Sequence, residues 1–219
     1  MAEISTSILG VEEEKSIKTF YNLEVAGTNF FHIDVMDGKF VEKNTEKKMY
    51  QFSNEIKHMS NIPLDVHLMV ENIKENIDRY IPFEPQIITF HIEACKNKEE
   101  VKKHIEYLQK NKIKCGISIK PATKIEEILE FLPYMYLCLV MTVEPGKGGQ
   151  ELIPETIEKV KKLKKYIKEN NLDTYIEVDG GINIETEGKV KMAGADILVS
   201  GSGILNSKDY KETINKLKE

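Results

Sequence analysis

Phe31-His32-Ile33-Asp34-Val35-Met36-Asp37-Gly38 and Asp65-Val66-His67-Leu68-Met69 are the stretches on which the fold turns. Each alternates apolar with ionisable residues, so in an extended chain His32 and Asp34 leave one face while Ile33 and Val35 leave the other. One face is therefore apolar cover, and the other sets imidazole beside carboxylate. That arrangement is costly when buried unless the polar groups pair with one another or hold a cation.

The same rhythm runs outward in both directions. Strand patterns at 4–9, 30–35, 64–69, 87–91, 114–119, 137–143, 175–178 and 197–200 alternate with helical ones at 12–23, 46–59, 73–80, 98–109, 125–132, 154–169, 185–192 and 208–217. In the clearest helix Pro154 suits the first turn, Glu155 and Glu158 favour its positive end, and Ile157, Val160, Leu163 and Ile167 draw the apolar stripe. Its lysines at 159, 161, 162, 164, 165 and 168 read as a solvated outer face.

A repeated βα unit closes either as an open doubly wound sheet or as a barrel. The reactive residues decide between them. His32, Asp34, His67, His91, Glu93, Glu144 and Asp179 all fall at or just beyond the carboxyl ends of strands, and in a barrel those ends ring one mouth. The expected fold class is therefore α/β, a (β/α)8 TIM barrel, as a single domain over residues 1–219.

Composition narrows the partners. Acidic residues outnumber basic ones 36 to 31, for a net charge of −5, which disfavours nucleic acid. Arg79 is the only arginine, so an anion must be met by backbone N–H groups or lysine. Cys95, Cys115 and Cys138 are odd in number and widely spaced, and read as reduced thiols of a cytoplasmic protein. The start has no signal-peptide pattern, and the most apolar stretch, 135–143, is far short of the roughly 20 residues that span a bilayer. No membrane partner is expected.

Taken singly, each of these His reads as a hydrogen-bonded core residue and each Asp as a cap or an ion-pair partner. Taken together, His32, Asp34, His67 and Asp179 give two nitrogens and two carboxylates at matching strand ends, a set suited to one divalent metal ion: zinc, iron, manganese or cobalt. Asp37 before Gly38 reads as a turn residue, and Asp65, on the face of His67, reads as a partner that orients it or as part of a lower structural pair. Glycine loops follow strands six, seven and eight: Gly146-Lys147-Gly148-Gly149, Gly180-Gly181 and Gly201-Ser202. Loops after strands seven and eight are where barrels bind phosphate. Neither a dinucleotide nor a Walker glycine pattern is present, so no nucleotide cofactor is expected. Met36, Met69 and Met141 stand at the same level, either as core filler or as a dry wall around a reactive intermediate.

The motifs Ser5-Thr6-Ser7-Ile8-Leu9, His32-Ile33-Asp34-Val35-Met36-Asp37-Gly38, Asp65-Val66-His67-Leu68-Met69-Val70, Val140-Met141-Thr142-Val143-Glu144-Pro145-Gly146, Glu177-Val178-Asp179-Gly180-Gly181-Ile182 and Val199-Ser200-Gly201-Ser202 together resemble the ribulose-phosphate 3-epimerases. The resemblance covers nearly the whole chain. It implies a metal on His32, Asp34, His67 and Asp179, proton transfer by Asp34 and Asp179, and substrate contacts from Ser7 and His67. It also implies that the three glycine loops bind a small sugar phosphate, in the pentose phosphate pathway, and that the protein is a homo-oligomer.

Three motifs depart from the family pattern: Thr6 replaces Pro, Glu42-Lys43 replaces Pro-Asn, and Lys147 replaces Phe. They leave the proposed ligands intact and the sugar open. D-ribulose 5-phosphate is the first expectation and a hexulose phosphate such as D-allulose 6-phosphate the alternative. A metal-free sugar-phosphate lyase or synthase and a non-catalytic sugar-phosphate-binding protein are more remote readings.

Overall fold

A computed structural model describes residues 1–219. Strands β1 (Glu3–Ser7), β2 (Phe30–Met36), β3 (Leu64–Met69), β4 (Ile87–His91), β5 (Lys114–Ile119), β6 (Leu137–Met141), β7 (Tyr175–Asp179) and β8 (Ile197–Ser200) pair in parallel in chain order, and β8 returns to β1 to close the barrel. The helices are α1 (Ser16–Ala26), α2 (Glu46–Met59), α3 (Ile73–Tyr80), α4 (Lys98–Lys110), α5 (Glu155–Glu169), α6 (Glu187–Ala193), α7 (Ser202–Leu205) and α8 (Tyr210–Lys218). No helix is long and apolar enough to cross a membrane.

Alternation along the strands divides the interior in two. Phe31, Ile33 and Val35 of β2 join the large apolar core that the helices cover. Phe30, Ile87, Leu137 and Ile197, the first residues of β2, β4, β6 and β8, form a separate apolar plug inside the barrel. Alternate strands thus contribute one layer, as the closed geometry requires. Polar inward residues lie above the plug, toward the carboxyl ends, so the barrel buries its charges only beneath its mouth.

Gly116 of β5 is part of that packing. A Cβ there would lie 2.2 Å from Thr89 Oγ1 and 2.8 Å from Leu137 Cδ1, both inside the barrel. Gly116→Ala is therefore expected to cost about 1–3 kcal/mol, or about 2–4 °C of melting temperature per kcal/mol in a chain of this size. Adding Thr89→Ala removes the closest atom and should recover much of the loss. An unshifted Gly116→Ala melting curve would contradict this packing.

Several expectations need correction. The 125–132 pattern is no α-helix but two short 3-10 turns, Ile125–Glu127 and Leu132–Tyr134. Pro133 disfavours helical geometry at Leu132 and offers no N–H, yet Ile128, Phe131 and Leu132 are still buried, so the periodic signal survived without the helix. Strands β1 and β6 each stop two residues before their predicted ends, β1 at Ser7 and β6 at Met141, and the four-residue α7 was not foreseen. The lysines of α5 are not all solvated. Lys159 Nζ donates to the carbonyls of Lys120 and Pro121 at 2.8 Å, and Lys164 pairs with Asp196 at 2.7 Å. Cys115 and Cys138 are buried and Cys95 is half-buried; all three are free thiols.

Candidate active site

Inward alternation on β2, β3 and β7 brings His32, Asp34, His67 and Asp179 together, with their donor atoms within 4.8 Å of one another. His32 Nε2 lies 3.6 Å and His67 Nδ1 3.7 Å from Asp34 Oδ1, and His67 Nδ1 lies 3.8 Å from Asp179 Oδ2. Both ring nitrogens are buried and have no hydrogen-bond partner. Buried imidazole nitrogens left bare beside two carboxylates are what a cation would satisfy. The residues present therefore fit a divalent metal.

The surroundings fix each group. His32 Nδ1 is 2.6 Å from Asp65 Oδ2, which also accepts from the Ser5 hydroxyl at 2.7 Å. Of the two readings of Asp65, orienting His67 or belonging to a lower structural pair, the structure has the second: the parallel register sets Asp65 opposite His32 on the neighbouring strand. Burial opposes the imidazolium at His32, but Asp65 and Asp34 raise its pKa well above the usual range. Burial lowers the His67 pKa despite the Asp34 carboxylate beside it. Asp34 would be raised by burial, yet His32, His67 and the Ser7 hydroxyl, 2.7 Å from Oδ2, hold it below the usual range. Burial and the Asp34 charge push Asp179 up to about 7.

Glu177, fully buried on the inner face of β7, is the polar residue that sequence reasoning missed. Burial and then the Asp65 carboxylate raise its pKa well above the carboxylate range, and neither of its carboxyl oxygens has a hydrogen-bond partner. Its signal was the two-residue spacing to Asp179, which sets it on the same inward face. His91 and Glu93, placed at the mouth but outside the ligand set, stand directly behind His67.

Above the cluster opens a cavity of about 400 Å³, lined by Ser7, Asp34, Asp179 and all three methionines, Met36, Met69 and Met141. Its rim carries Gly146, Lys147, Gly148, Gly149, Gly180, Gly181, Gly201 and Ser202, together with Lys43. The N–H groups of Gly180, Gly181, Gly201 and Ser202 make no hydrogen bond within the chain. Gly181 has φ 68°, and a Cβ there would meet the Leu152 backbone nitrogen at 2.4 Å, so only glycine fits. His67 is not in the cavity wall: fully buried, it reaches the cluster only through Nδ1. Asp37 turns the chain as expected, accepting from the N–H groups of Lys39, Phe40 and Glu71, with Gly38 at φ 75°.

A sequence profile of the ribulose-phosphate 3 epimerase family matches residues 3–205. The ribulose-phosphate 3-epimerase of Methanocaldococcus jannaschii is 39% identical over 219 residues, covering 100% of this chain and 91% of that protein. That of Bacillus subtilis is 33% identical, covering 100% and 99%. Among solved structures, a 3-hexulose-6-phosphate synthase superposes with a TM-score of 0.72 over 99% of this chain and 98% of its own, at 11% identity, a likeness of fold alone. A closed parallel barrel, an inward His/Asp cluster under a glycine-rimmed cavity and relatives matched over nine-tenths or more of their length lead to one assignment: the chain belongs to the ribulose-phosphate 3-epimerase family.

Proposed function

We propose that this chain interconverts D-ribulose 5-phosphate and D-xylulose 5-phosphate by moving the proton at carbon 3 between Asp34 and Asp179. The observation that carries the reading is this carboxylate pair. Strands β2 and β7 stand three positions apart around an eight-stranded ring, so the two side chains approach the mouth from different sides. Inversion needs that: one group takes the proton from one face and the other returns a proton to the opposite face. In the metal-free protein their surroundings also differ, with Asp34 held below the usual carboxylate range by His32, His67 and Ser7 and Asp179 pushed up to about 7 by burial and the Asp34 charge.

His32, Asp34, His67 and Asp179 are the residues that would hold one divalent metal. Such an ion would supply Lewis acidity toward the substrate carbonyl, whose oxygen gains negative charge as the carbon 3 proton leaves. Ser7 fixes the Asp34 carboxylate through its hydroxyl. Met36, Met69 and Met141 bring no acidic proton to the cavity wall and keep water from the carbanion-like carbon. The free N–H groups at Gly180, Gly181, Gly201 and Ser202 are disposed to accept the phosphate without an arginine. The residues 146–149 cover the sugar from the rim. The expected setting is a reducing cytoplasm and the expected assembly a homo-oligomer.

Lys43 and Lys147 both line the cavity, which supports a second reading, the same inversion on a hexulose phosphate. Turnover measured on D-ribulose 5-phosphate and D-allulose 6-phosphate separates them. The expected result is a kcat/KM at least about 10-fold higher on the pentulose, the scale of one displaced substrate group. Turnover of the hexulose alone would overturn the first reading.

A further inference from the structure

Behind the cluster, His67 leads into two side chains, His91 and Glu93, that the reaction above does not use. His67 Nε2 lies 2.9 Å from His91 Nε2, the two rings stacked 5.0 Å apart. His91 Nδ1 lies 3.0 Å from Glu93 Oε2. The other Glu93 oxygen accepts from the Lys120 N–H at 2.7 Å and from the Thr123 hydroxyl. Both imidazoles are fully buried.

Two ring nitrogens at hydrogen-bond distance must differ, one bearing hydrogen and the other a lone pair. The far end decides which. An ionised Glu93 only accepts, so His91 Nδ1 carries the hydrogen. A neutral His91 then offers a bare Nε2, which His67 Nε2–H must fill. A neutral His67 is left with its lone pair on Nδ1, the partnerless atom that faces Asp34 and Asp179.

We propose that Glu93 and His91 are positioning residues that lock His67 in the Nε2–H tautomer and so make its Nδ1 a metal ligand, an inference that rests on the metal reading above. His32 is oriented by a carboxylate directly, through Asp65. At His67 the interposed neutral ring holds the Glu93 charge one imidazole further from Asp34 and Asp179, where another nearby anion would add to their repulsion.

Glu93→Gln tests the polarity at nearly constant shape. The Lys120 N–H and Thr123 hydroxyl keep the amide oxygen on their side, so the amide N–H₂ faces His91 Nδ1. Every link then reverses, and hydrogen moves onto His67 Nδ1, where it blocks the metal. Zinc affinity by competition with a chelating dye is expected to fall about 10–100-fold in Glu93→Gln, with the melting curve of the metal-free protein little changed. Thr123→Val, which loosens the loop but not the polarity, is expected to stay within about 3-fold of wild type. Ring ¹⁵N shifts of the metal-free wild type should show Nε2–H on His67 and Nδ1–H on His91, whether or not the variant folds. The opposite tautomers, or equal losses in Glu93→Gln and Thr123→Val, overturn the proposal. If wild-type protein takes up no zinc, the metal reading falls with it; if wild type and Glu93→Gln bind zinc equally, only this inference falls.

Discussion

Replacing Asp34 or Asp179 by Asn is expected to lower epimerisation by about 10³-fold or more while the barrel stays folded. The amide keeps the size and an oxygen donor but neither takes nor gives a proton. The informative readout is solvent deuterium at carbon 3. If each aspartate serves one face, each variant keeps the base for one epimer and loses it for the other. Label should then enter only one of the two ketose phosphates in Asp34→Asn and only the other in Asp179→Asn. The same epimer labelled by both variants would contradict the two-base assignment.

Folding is checked in the same variants, with an unusual sign. The Asp179 pKa is about 7 in the folded metal-free protein, above its ordinary value, so the folded state binds the extra proton. Folding stability from this group is therefore full at low pH and lost as pH rises through about 7. Asn carries no charge at any pH, so metal-free Asp179→Asn should melt no lower than wild type at pH 8, and higher if Asp34 repulsion dominates. A collapse of the fold in this variant would mean that its lost turnover says nothing of proton transfer.

Much of this site was legible because a strand has a strict period of two. His32 with Asp34 and the inward placement of His67 follow from alternation alone, and closure of the ring from their shared level at the strand ends. What alternation does not carry is register between strands. Asp65 could therefore be read either as a partner of His67, two residues away, or as part of a lower pair, and only the ladder shows that its partner is His32. Glu177 is a different case, since alternation from Asp179 already sets it on the inward face and only its chemistry, a carboxyl buried without a partner, had no reading. The 125–132 error has another source. Apolar spacing reports which residues are buried, and a succession of tight turns ending at Pro133 buries the same ones.

Removing the metal is expected to match the aspartate variants in effect and to differ from them in being reversible. Exhaustive chelation should lower turnover by about 10³-fold or more, the scale of losing electrostatic stabilisation of the developing anion, and zinc, manganese, cobalt or ferrous iron should restore it to differing extents. The structure also gives the stability side. Without a cation, His32 is held as an imidazolium by Asp65 and Asp34, and Asp179 keeps its proton up to about pH 7. A metal takes the electron pairs those protons occupy, so binding releases protons and affinity should climb as pH rises through 7. Free metal at about 1,000 times its dissociation constant adds about 4 kcal/mol, or about 8–16 °C of melting temperature at about 2–4 °C per kcal/mol. Three readouts are therefore tied to four side chains: turnover, the melting shift and proton release. His67→Ala should diminish all three together, because it removes one of the two nitrogen donors while leaving both proton-transfer aspartates in place. Full turnover after verified removal of metal would break that link, and leave His32 and His67 as buried bases serving only the charge balance of Asp34 and Asp179.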